Sequence, residues 1–161
     1  MGRINAGIRE NIIPENAEMA GTIRTFDPEM QKQVHERVKT IATKIAESAG
    51  ARAEVIIDSK TPVTYNDAAL TTKVVGGLQR AAGEDNVIRI NADTGAEDFA
   101  FYQQKVPGFF FFVGALPENA DPAKAPSHHT PDFMMDEKSL LIGMKAMLNI
   151  TLDYMFTAEK K

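Results

Sequence analysis

The stretch Ala17-Glu18-Met19-Ala20-Gly21-Thr22-Ile23-Arg24-Thr25-Phe26-Asp27-Pro28-Glu29 changes its hydrophobic period partway along, and that change decides the fold class. From Ala17 to Phe26 apolar residues alternate with polar or small ones, the period of a strand with one covered face. Arg24 is therefore predicted on the face opposite Ile23. Asp27-Pro28-Glu29 then brings an N-cap acceptor, a proline preset for the first helical position and an acid in the first turn. Val34, Val38, Ile41, Ile45 and Ala49 recur at three- and four-residue spacing as a buried stripe, and Gly50 stops the helix. Upstream, Ile4, Ala6 and Ile8 alternate as a short strand ending before Asn11 and Pro14. Downstream, Glu54-Val55-Ile56-Ile57-Asp58-Ser59 is β-branched enough for another strand. Strand, strand, helix, strand is an α/β reading.

The character changes around Thr61 to Thr64, which predicts a boundary between residues 1–62 and 63–161. A second helix starts at Asn66 or Asp67, shows Leu70, Val74, Leu78 and Ala81 on one face, and ends at Gly83. Asn86 to Asn91 reads as a strand, Asp93-Thr94-Gly95 as a turn, and Glu97 to Gln104 as a short helix with Phe99 one turn from Tyr102 or Gln103. Phe109-Phe110-Phe111-Phe112-Val113-Gly114-Ala115-Leu116, bounded by Pro107-Gly108 and Pro117, reads as a strand buried on both faces. The loop from Pro117 to Pro131 is longer than most connections, which marks it as a functional candidate. Asp136 caps a last helix with Leu140, Met144, Met147 or Leu148, Thr151 and Met155 on its buried side.

The chain has 161 residues, with 22 acidic against 18 basic side chains, three histidines and no cysteine. That is room for one domain or two small lobes. Apolar residues make up 43% and charged residues 25%, near the averages for globular proteins, so disorder and fibrous repeats are excluded. A net charge of −4 carries no basic surplus to neutralise phosphates or hold an anionic membrane, so neither nucleic acid nor a membrane is an expected partner. No apolar run reaches the length of a membrane-spanning helix. Residues Met1 to Asn5 lack signal-peptide character, and Ala6 stands where a myristoylation motif needs Ser or Thr. Without cysteine there is no thiol nucleophile, disulfide or thiolate metal site. No Gly-x-Ser-x-Gly elbow, P-loop or dinucleotide fingerprint is present.

Chemistry-bearing residues fall in a few places. Ser127-His128-His129-Thr130-Pro131-Asp132-Phe133 is either a solvated polar loop or a ligand segment in which a Pro-flanked imidazole holds a divalent metal. In an extended segment only one of the two adjacent histidines points into a given site. Asp93, Thr94, Gly95, Glu97 and Asp98 form the second cluster. Its carboxylates serve either the helix dipole, or a substrate or ligand beside a glycine that permits close backbone approach. Arg24 is either an exposed charge or a clamp for a carboxylate, which suits the planar guanidinium. Asn11, just before Ile12-Ile13-Pro14, is read as a turn former, and His35 is expected to face solvent.

In their order, Asn11-Ile12-Ile13-Pro14-Glu15, Gly21-Thr22-Ile23-Arg24-Thr25-Phe26, Gly95-Ala96-Glu97-Asp98-Phe99, Pro107-Gly108 and His129-Thr130-Pro131-Asp132-Phe133 with Asp136-Glu137 resemble the M20 family of metallopeptidases and amidohydrolases. The similarity is greatest to its branch of N-acyl-amino-acid amidohydrolases, which includes hippurate hydrolases and plant auxin-conjugate hydrolases. The resemblance implies that residues 1–62 are the later part of a ferredoxin-like lid (dimerisation) domain. It implies that residues 63–161 are the C-terminal part of a zinc-peptidase-like α/β catalytic domain, the whole being a C-terminal fragment. It implies metal-dependent hydrolysis of the amide bond of small N-acyl amino acids or peptides, two divalent ions (Zn, Mn, Co or Ni), and a homodimer through the lid. A cytoplasmic location goes with it, or a periplasmic one if a preceding segment carries a signal peptide.

Carried over residue by residue, Asn11 and Arg24 are substrate-binding and Gly95 allows close approach. Glu97 and Asp98 support the centre, His129 is a metal ligand, and His128 has no counterpart. The family's other ligands, its general-base glutamate and its lid histidine lie upstream of the matched stretch. No catalytic residue is therefore expected in this chain, and its metal site is expected to be incomplete. The rival readings are a non-catalytic dimerisation or binding fragment, and a dipeptidase or carboxypeptidase of the same family.

Overall fold

The structure, a computed structural model, describes residues 1–158. It is α/β, with a two-stranded sheet and four α-helices: β1 (Arg3–Ala6), β2 (Ala17–Ala20), α1 (Pro28–Ser48), α2 (Ala68–Ala82), α3 (Phe99–Gln103) and α4 (Lys138–Ala158), with 3₁₀ turns at Glu84–Asn86 and Pro122–Lys124. Contacts divide the chain into two compact units. One comprises Met1–Val63 with Thr94–Ala96; the other comprises Thr64–Asp93 and the described residues from Glu97 onward. Among the described residues no helix is long and apolar enough to cross a membrane.

In the first unit β1 and β2 pair antiparallel, with Arg3 opposite Ala20 and Ala6 opposite Ala17. The strand predicted to run on to Phe26 ends at Ala20, because β1 offers a partner no further and a strand persists only where its backbone groups are paired. The same reason removes the predicted strand at Glu54 to Ser59, which has the propensity but joins no ladder. Helix α1 starts as its sequence dictates: Asp27 Oδ1 accepts from Met30 N at 2.6 Å, with Pro28 in the first turn. It ends in a Schellman turn, Gly50 N donating to Glu47 O (3.0 Å) and Ala51 N to Ala46 O (2.9 Å), with Gly50 at φ 71°. Its predicted buried stripe is largely uncovered. Val38, Ile41 and Ile45 are exposed, because no other helix or strand packs on α1. His35, expected in solvent, is half-buried.

The second unit is built on α2 against α4. Asp67 caps α2 by accepting from Leu70 N at 2.7 Å, and Gly83 closes it at φ 90°. Val74, on the predicted face, is 1% exposed. Helix α4 presents a face that hydrophobicity alone does not predict. Ser139 and Ala146 are buried and Gly143 half-buried, whereas Leu140, Met144, Met147, Leu148 and Met155 are exposed, as is Thr151. The small residues win because they let the two backbones approach closely. A Cβ on Gly77 would stand 3.1 Å from both Ile150 Cγ1 and Ile150 N. Asn149 Nδ2 donates to Gly77 O at 3.1 Å and Arg80 pairs with Asp153.

The phenylalanine run alternates as extended backbone does. The rings of Phe109 and Phe111 stand 5.8 Å apart and those of Phe110 and Phe112 5.3 Å, and Phe110 packs on Phe99 at 5.8 Å. It forms no ladder and Phe112 is 58% exposed, contrary to burial on both faces. Coverage is partial on both faces: Phe109, Phe110 and Phe111 are half-buried, and Val113 Cγ2 lies 3.6 Å from the Cβ position of Gly143. Asn86 to Asn91 likewise joins no ladder and opens in the 3₁₀ turn Glu84–Asn86.

Side-chain amides replace the missing ladder bonds around the start of α2. Asn66 Nδ2 donates to Phe110 O and Phe110 N to Asn66 Oδ1, both at 2.7 Å. Gln103 makes the same reciprocal pair with Tyr65, at 3.0 and 2.7 Å. Asn66→Ala removes two of these bonds at once and is expected to destabilise the second unit by about 1–2 kcal/mol. Urea unfolding followed by circular dichroism checks it, and an unchanged midpoint would discount the clamp.

Candidate functional site

In the first unit Asn11 is exposed in the turn-rich connection between β1 and β2, a loop bent at Gly7 (φ 67°) so that Pro14 comes within 3.6 Å of the Gly7 Cβ position. Arg24, just beyond β2, is exposed, and its guanidinium donates from Nη1 to the backbone carbonyl of Thr94. The structure therefore brings Arg24 to the residue before Gly95. No sequence pattern announces this partner, because a backbone carbonyl has no side-chain signature. Beside it, Thr25 keeps a buried hydroxyl without a hydrogen-bond partner among the described residues, a polar atom that periodicity also fails to single out.

In the second unit Glu97 and Asp98 precede α3, a helix of five residues. Asp98 occupies the N-cap position, yet its side chain makes no capping bond. Asp27 and Asp67, in contrast, both accept from the third residue onward. Among the described residues neither Glu97 nor Asp98 enters an ion pair. The helix-start explanation of this acid pair therefore lacks its usual bond. Glu97 is half-buried and Asp98 exposed.

His129 lies in a tight turn, not in the extended segment on which the opposite-sides reading rests. It has φ 65°, the only non-glycine residue with positive φ among those described. A left-handed conformation costs an L-residue about 1–2 kcal/mol, and such strain tends to persist at functional sites. The turn is fixed by Thr130 Oγ1 donating to Ser127 O (2.8 Å) and Phe133 N to Thr130 O (3.2 Å). His128 is engaged by an edge contact with Phe133, centroids 5.0 Å apart at 68°. Its ring stands 6.4 Å from that of His129, which is exposed.

A catalytic zinc takes about three protein ligands. Among the described residues no three His, Asp or Glu side chains gather to hold a metal, so the donors present do not by themselves form such a site. Two surface hollows, one along α1 from Gln33 to Ile41 and one between Tyr65 and Gly108, take in none of the candidate residues.

Residues 4–153 match the sequence profile of Peptidase family M20/M25/M40. The chain is 34% identical over 141 residues to N-acetylcysteine deacetylase of Bacillus subtilis (strain 168), covering 88% of this chain and 35% of that protein. It is 33% identical over 144 residues to thermostable carboxypeptidase 2 of Saccharolobus solfataricus, covering 89% of this chain and 35% of that protein. The crystal structure of the Bacillus subtilis YXEP protein, a dinuclear metal binding peptidase from the M20 family, superposes with a TM-score of 0.69 at 32% identity, over 92% of this chain and 39% of that one. The chain thus spans about a third of the length of the curated relatives it matches. With the profile running along nearly all of its residues and a third of them shared with such relatives, the chain belongs to Peptidase family M20/M25/M40.

Proposed function

We propose that this chain contributes substrate-binding residues and one metal ligand to a metal-dependent hydrolase that cleaves the amide bond of small N-acyl amino acids. The observation that carries the reading is His129, an exposed imidazole held in a left-handed turn while its neighbour His128 is occupied by Phe133. That arrangement presents one ligand of a divalent-metal centre whose remaining ligands come from outside these residues. Residues 1–62 act as lid and dimer contact and residues 63–161 as the C-terminal part of the catalytic domain. The 34% identity to a deacetylase of an N-acyl amino acid supports the substrate class.

Arg24 binds the substrate carboxylate, and the Thr94 carbonyl it now engages is a neutral acceptor that a carboxylate displaces, charge-assisted bonds being about twice as strong. Asn11 contacts the substrate carbonyl oxygen. Gly95 leaves room for the backbone to approach, and Glu97 and Asp98 support the centre from the start of α3.

The test uses this chain joined to the remainder of the family fold. Arg24→Lys is expected to raise KM for an N-acyl amino acid roughly 10- to 100-fold with little change in kcat, because a point charge replaces a bidentate fork. The corresponding N-acyl amino amide, which has no carboxylate, is expected to show no such difference. Equal effects on both substrates would overturn the role. A second reading, cleavage of C-terminal residues from peptides, is favoured by the identity to a carboxypeptidase; faster turnover of free-carboxylate peptides than of N-acyl amino acids would establish it.

A further inference from the structure

Tyr65, Asp67, Lys105, Val106, Pro107 and Gly108 line a hollow of about 320 Å³ within the second unit, at the lower end of the roughly 300–1,000 Å³ range of small-ligand sites. Its walls are fixed through the backbone. Gln103 clamps the N–H and the carbonyl of Tyr65, at 3.0 and 2.7 Å, and Asp67 N donates to Gly108 O at 3.0 Å. Gly108 is buried so closely on Gln103 that a Cβ there would stand 2.5 Å from its Cγ. The hollow along α1, in contrast, is lined by Gln33, Glu36, Arg37, Thr40 and Ile41 of that one helix and has no second wall.

Two opposite charges share this hollow without meeting. Among the described residues neither Asp67 nor Lys105 enters an ion pair. Asp67 is half-buried, and only its Oδ1 is taken, by Leu70 N at 2.7 Å. Its full negative charge exceeds the roughly half positive charge that the start of α2 carries, so the spot attracts a cation. The exposed Lys105 ammonium attracts an anion. Between them lies an apolar wall: the clamped backbone of Tyr65 leaves its ring 67% exposed, and Val106 beside Pro107 is 58% exposed. Among the described residues the Tyr65 ring packs on no other ring and under no cation.

We infer that this hollow binds a free α-amino acid with an apolar side chain, its ammonium on Asp67, its carboxylate on Lys105 and its side chain against Tyr65, Val106 and Pro107. A simple anion is repelled by Asp67 and a simple cation by Lys105, so the pair selects a ligand that carries both charges. A free amino acid is also what hydrolysis of an N-acyl amino acid releases. That connection rests on the hydrolytic reading, whereas the binding site does not.

The experiment titrates L-phenylalanine into the 161-residue chain by isothermal titration calorimetry. Saturable one-to-one binding is expected, with a dissociation constant of order millimolar, as a small ligand in an open site gives. N-acetyl-L-phenylalanine, which lacks the ammonium, and L-phenylalaninamide, which lacks the carboxylate, are each expected to bind about threefold or more weakly, the scale of a partly exposed ion pair. Lys105→Ala is expected to abolish the preference over the amide. Asp67→Asn keeps an N-cap acceptor for α2 and is expected to abolish the preference over the N-acetyl compound. Absence of saturable binding, or a preference that its own variant leaves unchanged, would overturn the site. Binding is the only readout, so a failure here is separable from a failure of the hydrolytic reading.

Discussion

Gly77→Val is expected to abolish cooperative unfolding of the second unit, through a loss of about 3 kcal/mol or more. The Cβ position at Gly77 already lies 3.1 Å from Ile150 N and 3.3 Å from Asn149 C. Both are main-chain atoms of α4, which cannot rotate away as a side-chain end can. Two further methyl groups therefore force α2 and α4 apart. Overpacking of this kind costs about 1–3 kcal/mol, and separating the helices also breaks the bond from Asn149 Nδ2 to Gly77 O, worth about 1 kcal/mol more. Against a total stability of about 5–15 kcal/mol for a domain this is a large fraction, larger still for a unit with so little enclosed core. Gly77→Ala is the calibrating variant: its Cβ alone meets three tight contacts, Ile150 Cγ1 and Ile150 N at 3.1 Å and Asn149 C at 3.3 Å, but it regains about 1 kcal/mol of helix propensity, and is expected to shift the urea midpoint much less than valine does. If Gly77→Val unfolds with the parent's midpoint and slope, close backbone approach is not what joins the helices.

The same helix pair marks where sequence reading stopped. The caps at Asp27 and Asp67, the glycine stops at Gly50 and Gly83, and the Leu70, Val74, Leu78 and Ala81 face were all legible, because caps and periodicity act within a few residues of chain. The buried face of α4 was not, because hydrophobicity points to Leu, Met and Phe, whereas the face that packs is chosen by what lets backbones meet. The strands at Glu54 and Phe109 were read from propensity and periodicity, which are properties of a segment; a ladder is a property of two segments. In the candidate site, His129 was picked out by its residue type and motif, and its backbone strain became visible only in the fold. Arg24 was legible as a cation on a strand face, but its hold on the Thr94 carbonyl was not, since seventy residues separate them.

His129→Asn is expected to lower hydrolysis by the enzyme completed with the rest of the family fold by roughly 10³-fold or more, the scale on which a metal-assisted reaction depends on its ligands, while leaving the stability of this chain nearly unchanged. Asparagine tolerates the left-handed conformation that His129 adopts at φ 65°, so the turn survives, but its amide is a poor replacement for imidazole on a divalent ion. His129→Gly separates the two roles more sharply. It relieves the backbone cost and is expected to stabilise the chain by up to about 1 kcal/mol, yet to lose as much activity as the asparagine variant. A residue kept only for the turn would show the opposite, with activity unharmed by glycine. His128→Ala loses its edge contact with Phe133 and is expected to cost under about 1 kcal/mol of stability and only a small part of the rate. Metal content by atomic absorption, a urea midpoint and kcat/KM for each of the three variants settle the assignment: equal metal content and rate in His129→Asn, or equal losses in His128→Ala and His129→Asn, would move the ligand role away from His129.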